Sequence, residues 1–184
     1  MPIHVQRFAK GQLSGQEMSD LNVVDDLAER FAGYLEQHES EIEEAHVHGA
    51  QSSAIQSIVS ELLRDKLGFK EEVLLTADMG VVTRARPDFY YPIGLGRGIL
   101  AEVERGGAVN NNHDIKDFWK AHVSTDAQHL FLIVPNSNWS QDGSPREKPF
   151  RRVCRRLAPF FGDPRREVDV VSLHVFGYGA EGDR

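Results

Sequence analysis

Residues 86–104 read Arg86-Pro87-Asp88-Phe89-Tyr90-Tyr91-Pro92-Ile93-Gly94-Leu95-Gly96-Arg97-Gly98-Ile99-Leu100-Ala101-Glu102-Val103-Glu104. Aromatic and apolar runs on either side of a glycine-rich turn are the pattern of a β-hairpin. The second run alternates: Ile99, Ala101 and Val103 face one side, Glu102 and Glu104 the other. A turn centred on Gly96 sets Asp88 opposite Glu104 and Tyr90 opposite Glu102, and any register of the same parity brings Asp88 to the face of both glutamates. Three carboxylates on one patch repel one another unless something neutralises them. A hard divalent cation such as Mg²⁺ does so, because it takes oxygen ligands and keeps several waters. It would also polarise a phosphoryl oxygen and activate a water for in-line attack. A solvated acidic strand face has the same spacing, and spacing alone does not separate the two readings.

Working outward, Ser19-Asp20 offers a helix N-cap, and Leu21, Val24, Leu27, Ala28, Phe31 and Leu35 follow at helical spacing. Residues 1–18 show no period and read as flexible, and 19–48 as an acidic helical segment ended by Gly49. A second helix from Ser52 to Leu67 has Ile55, Ile58, Val59, Leu62 and Leu63 on one face, with Gly68 closing it. Strands are expected over Val73–Thr76, within Val81–Tyr91 and over Ile99–Glu104. A helix over Asn110–His122, a buried strand over His129–Val134, a polar loop over Asn136–Pro149, a basic helix over Phe150–Phe161 and a strand over Val168–Phe176 complete the chain. The order α-α-β-β-β-α-β-α-β implies one α/β domain over 1–184, a mixed sheet with helices on both faces.

Composition agrees. The chain has 184 residues, 40% hydrophobic and 27% charged, enough for one sizeable core. No apolar run approaches the length of a membrane span, and the N-terminal residues lack the apolar stretch of a secretory signal. A single cysteine, Cys154, leaves no internal disulfide framework and no cysteine-based zinc site, so the expected compartment is the cytoplasm. The net charge of −7 argues against indiscriminate polyanion binding, but it is unevenly spread. Residues 1–72 hold 6 Lys and Arg against 14 Asp and Glu, whereas residues 141–166 hold 8 against 3. The basic stretch suits phosphate contacts, and equally a solvated helix face.

Pro87-Asp88, a glycine turn and then Glu102-Val103-Glu104 resemble the PD-(D/E)XK nuclease superfamily, the restriction-endonuclease-like enzymes, in an E-x-E variant with Glu104 where the family usually has lysine. Element order over about residues 51–134, and the asparagine run Asn110-Asn111-Asn112 before a helix, agree with it. The resemblance implies a Mg²⁺- or Mn²⁺-dependent endonuclease hydrolysing DNA phosphodiester bonds, of restriction or repair type. It implies metal ligation by Asp88, Glu102 and the carbonyl of Val103, with Glu104 binding a second metal or accepting a proton from the attacking water. Lys116 and Lys120 are the lysines that would restore the missing positive charge, and Glu61 is the acid that the preceding helix would bring to the metal. Arg84, Arg86, Arg105, Lys120, Arg151, Arg152 and Arg155 are the expected DNA-backbone contacts. Many such nucleases act as homodimers, and the acidic N-terminal helix is the candidate dimer surface. The competing reading is a catalytically inactive module of the same fold that binds nucleic acid or protein, favoured by Glu104 in place of lysine.

Other signals have plainer explanations. Gly94 to Gly98 is glycine-rich like a phosphate loop but joins two strands, so it reads as a hairpin turn. His46-Val47-His48 reads as surface, and Asn112-His113-Asp114 as a helix start. The arginines around Cys154 would favour a thiolate, but its spacing equally suits a half-buried residue. Trp119, Trp139, Tyr90 and Tyr91 read as core or rim.

Overall fold

The chain enters on a strand, β1 (His4–Ala9), in the computed structural model, which describes residues 3–47, 52–75, 86–104, 108–162 and 168–182. Within the segment expected to be flexible, residues 4–9 are thus a strand. β1 pairs antiparallel with β8 (Ser172–Tyr178) at the sheet edge. An edge strand is only partly covered, so Val5, Gln6 and Arg7 are exposed and no apolar alternation marks it.

Helix α1 (Gly15–Gln37) also begins earlier than expected. Ser14 is its N-cap: Ser14 Oγ accepts from the Glu17 N–H at 3.2 Å, and the Glu17 carboxylate accepts from the Ser14 N–H at 2.7 Å. This reciprocal capping box outcompetes Ser19-Asp20, which lies inside the helix. Leu21, Val24, Leu27, Ala28, Phe31 and Leu35 are buried, as their spacing requires. Helices α2 (Glu39–Ala45) and α3 (Ser52–Ser60) follow, and α3 runs on through a π-helical segment, Glu61–Lys66.

Strand β2 is Lys70–Glu71, not Val73–Thr76. Leu75 makes an isolated bridge, and Thr76 and the start of the expected Val81–Tyr91 strand lie outside the described residues. Strands β3 (Phe89–Gly94) and β4 (Arg97–Val103) form the expected hairpin. Helix α4 (His113–Val123) leads to β5 (His129–Pro135), buried along its whole length. The polar stretch after it folds into a small hairpin, β6 (Asn138–Trp139) with β7 (Pro145–Glu147). The expected basic helix is two, α5 (Pro149–Leu157) and α6 (Pro159–Gly162), because Pro159 cannot supply the N–H that a continuous helix needs.

The six strands of the main sheet run β1-β8-β5-β4-β3-β2 among the described residues. β4, β5 and β8 are parallel, and antiparallel strands flank them. Helices α1 to α3 pack on one face with Ile99, Ala101, Phe131, Ile133 and Phe176. Phe118 and Ala121 of α4 and Val153 and Leu157 of α5 pack on the other with Leu100, Leu130, Leu132 and Val175. Truncating a ring at the centre of the first core, such as the fully buried Phe131, would cost about 3–5 kcal/mol. The result is the expected mixed α/β sheet covered on both sides. The three parallel strands end together near Val103, Pro135 and Tyr178.

Candidate active site

The hairpin sets the first part of the site. Gly96 turns the chain with φ +63°, a conformation that favours glycine. A Cβ on Gly98 would lie 2.5 Å from the Tyr90 ring, so glycine there lets that ring cross the strand. Phe89 pairs with Ala101 and Tyr90 with Leu100. The register is two residues away from one centred on Gly96, with the parity unchanged, so Asp88 comes level with Glu102 instead of Glu104. The contacts follow: the Asp88 N–H donates to Glu102 Oε2 at 3.3 Å, and the Val103 N–H donates to Asp88 Oδ2 at 3.0 Å.

The glutamates do not form a solvated strand face. Helix α4 covers them, and Glu102 is only 4% exposed. On α4, His113, Asp117 and Lys120 fall four and three residues apart and share one side. Lys120 Nζ is ion-paired to Glu102 Oε1 and stands 3.3 Å from Asp117 Oδ1. Burial, with the Asp117 charge added, pushes the Glu102 carboxyl well above the usual carboxylate range. Burial does the same to Asp117, more strongly than Lys120 can offset. Burial lowers the Lys120 ammonium, but the two carboxylates together outweigh it and raise it.

Glu104 is held by its backbone from two sides. Its N–H donates to the Ile133 carbonyl at 2.8 Å, extending the ladder past β4, and its carbonyl accepts from the Tyr178 hydroxyl at 3.0 Å. Its side chain meets His113, with Nδ1 2.8 Å from Glu104 Oε2. The carboxylate accepts, so the imidazole donates.

Asp88, Glu102, the Val103 backbone, Glu104 and Lys120 are thus brought together. Lys116 is exposed on the outside of α4, so of the two lysines it is Lys120 that meets the acids. Glu61 is exposed at the end of α3, which packs on the opposite face of the sheet. Arg86 flanks Asp88 in sequence and pairs with Glu72 at 3.7 Å. Arg84 and Arg105 lie outside the described residues. Arg151, Arg152 and Arg155 are exposed on α5, where Arg151 pairs with Glu181 at 2.8 Å and Arg152 with Glu147 at 3.9 Å. Arg156 ties that helix to the start of α4, donating to Asp114 Oδ1 and Asn112 Oδ1 at 3.0 Å each.

Two participants, Asp117 and His113, escaped the sequence reading. The available signal was their spacing from Lys120 on one side of α4. His46, read as surface, is buried against the Ser137 carbonyl at 2.8 Å and against the Tyr178 ring. Cys154 is half-buried, and burial pushes its thiol up to about 12, so the neighbouring arginines do not make it a thiolate. Trp119 is exposed at the rim of the site helix.

The donor set suits a hard divalent cation. All its carboxylate donors are oxygens, and one buried oxygen, Asp117 Oδ2, has no hydrogen-bond partner. Among the described residues, no three acidic, histidine or cysteine side chains form a ready-made metal cage. Lys120 lies between Glu102 and Asp117, and His113 holds Glu104.

No protein-family model matches the chain, and no curated protein matches it in sequence. Among solved structures it is similar to restriction endonuclease BglII complexed with a DNA 16-mer, at a TM-score of 0.59 and 12% identity, over 100% of this chain and 79% of that one. The shared architecture is the restriction-endonuclease-like fold.

Proposed function

We propose that this chain is a Mg²⁺-dependent endonuclease that hydrolyses DNA phosphodiester bonds through the E-x-E site on β4. The observation that carries this reading is the Lys120–Glu102 ion pair beside Asp88. A lysine from α4 supplies the positive charge that Glu104 removes from the usual motif, at the place where the proline-aspartate and the strand glutamate meet. The fold shared with a DNA-bound endonuclease supports the same reading.

In this mechanism Asp88, Glu102 and the Val103 carbonyl would hold the metal. When bound, the ion supplies Lewis-acid polarisation of the phosphate and a more acidic water. Lys120, poised on Glu102, is placed to stabilise negative charge developing on the phosphoryl group. Glu104 is placed to accept the proton of the attacking water, with His113 orienting its carboxylate. Arg151, Arg152 and Arg155 line α5, which Arg156 fixes beside the site, and would contact the DNA backbone in a salt-sensitive way.

Plasmid cleavage in Mg²⁺, Mn²⁺ and chelator tests this. Metal-dependent cutting is expected, and an Asp88→Ala/Glu102→Ala protein should lose it. Lys120→Ala should cost about 10²–10³-fold, the scale for one group that stabilises transition-state charge, and Lys116→Ala far less. The inactive-module reading draws on the pairing of Lys120 with two acids of its own chain. DNA retention in chelator, with no cutting and no calorimetric metal binding, would establish it instead.

A further inference from the structure

Asp117 is assigned no role by the motif, yet it is 5% exposed and its Oδ2 has no partner. A buried carboxylate oxygen without a hydrogen bond is costly unless something else solvates it. Asp114 on the same helix also has an Oδ2 without a partner, but its Oδ1 is paired with a guanidinium that no second carboxylate shares, Arg156 at 3.0 Å. Asp117 has no such partner of its own. It shares Lys120 with Glu102, and Asp88 and Glu104 add their negative charge to its surroundings. Among the described residues, four carboxylates therefore gather around one ammonium and one imidazole.

We propose that Asp117 is a further ligand of the cation site, with Oδ2 as its donor, and that Lys120 competes with a divalent cation for Asp117 and Glu102. This rests on the metal-dependent reading above. If Asp117 served only to anchor Lys120, losing it would leave the lysine on Glu102, and once Lys120 is Met the further loss of Asp117 would leave metal affinity unchanged. If it is a ligand, losing it weakens the metal whether or not the lysine is present.

Mn²⁺ titration of the DNA-free full chain, followed by electron paramagnetic resonance and calorimetry, separates these. The proteins are wild type, Asp117→Asn, Lys120→Met and the double variant, with thermal melts to establish folding and Asp117→Ser as the substitute if Asn does not fold. Asp117→Asn should weaken Mn²⁺ binding about 10–100-fold, the usual range for groups supporting a metal site. Lys120→Met should tighten it, and the double variant should bind about 10–100-fold more weakly than Lys120→Met. Unchanged affinity in Asp117→Asn, or no difference between Lys120→Met and the double variant, would overturn the inference while the nuclease reading stands. No Mn²⁺ binding by wild type would overturn both.

Discussion

The sheet carries two polar clusters, on opposite faces and at opposite ends of its parallel strands. Under α1, where those strands begin, Arg97 Nη1 contacts both Asp20 oxygens at 2.5 and 2.6 Å. Arg7 holds Asp25 through two hydrogen bonds, Asp25 meets His174 at 2.9 Å, and His129 meets Ser172 at 2.8 Å. Each carboxylate there has its own guanidinium, and both histidines are driven towards neutrality. Under α4, at the other end of β4, Glu102 and Asp117 share Lys120, Glu104 has His113, and Asp88 stands beside Glu102, with no guanidinium paired to any of them among the described residues. A balanced cluster stabilises the fold as it stands. An unbalanced one costs stability as it stands, which is the property a proposed cation site requires.

The comparison predicts opposite pH responses, and the largest effect is on the acid side. Burial pushes His129 and His174 down to about 4, from about 6.5 in an unfolded chain. Their folded values are depressed, so the unfolded chain binds more protons, and stability falls as pH drops from about 6.5 towards 4. Each histidine should account for roughly 3 kcal/mol over that window. Glu102 and Asp117, with raised folded values, give the opposite slope over the same range, so the histidine share is read as a difference: in urea unfolding between pH 7 and 5, His174→Gln should lose less stability than wild type as pH drops. An unchanged slope would mean that the histidines are not held neutral.

Asp20→Ala comes next. It strands Arg97, and because that guanidinium is 34% exposed the cost should fall to about 1–3 kcal/mol, below the range for a fully buried pair. Arg97→Met in the same background should recover part of the loss, since it removes the stranded charge. Additive losses in urea midpoints would show that the two residues do not act as a pair.

What was legible in the sequence follows the same division. The face of α1, the buried run of β5 and the parity that joins Asp88 to the glutamates are periodic patterns, and burial enforces each of them. β1 and β2 are edge strands held by backbone pairing, which leaves little side-chain trace. That Glu102 is buried depends on α4 folding over β4, a tertiary fact that no strand alternation encodes. Lys120 was visible as a displaced lysine, but Asp117 looks like any charged helix residue until its oxygen is found without a partner.

The smallest effect is the most discriminating, because its sign is unusual. Removing a buried charge normally destabilises, yet Glu102→Gln should stabilise this protein by about 1 kcal/mol at pH 8 while abolishing cleavage. Glu102 has a raised folded value, so its carboxyl costs nothing below the unfolded value of about 4.5 and costs progressively more as pH rises through the folded one. Glutamine avoids that cost, and Lys120 keeps Asp117 as its counter-ion. The gain should therefore shrink to nothing near pH 5 and grow towards pH 8 in thermal melts taken without divalent metal. Saturating Mn²⁺ should reverse the order, because wild type gains binding energy that the variant has largely lost. If Glu102→Gln is destabilised at pH 8, the cluster under α4 is as balanced as the one under α1, and no cation is needed to complete it.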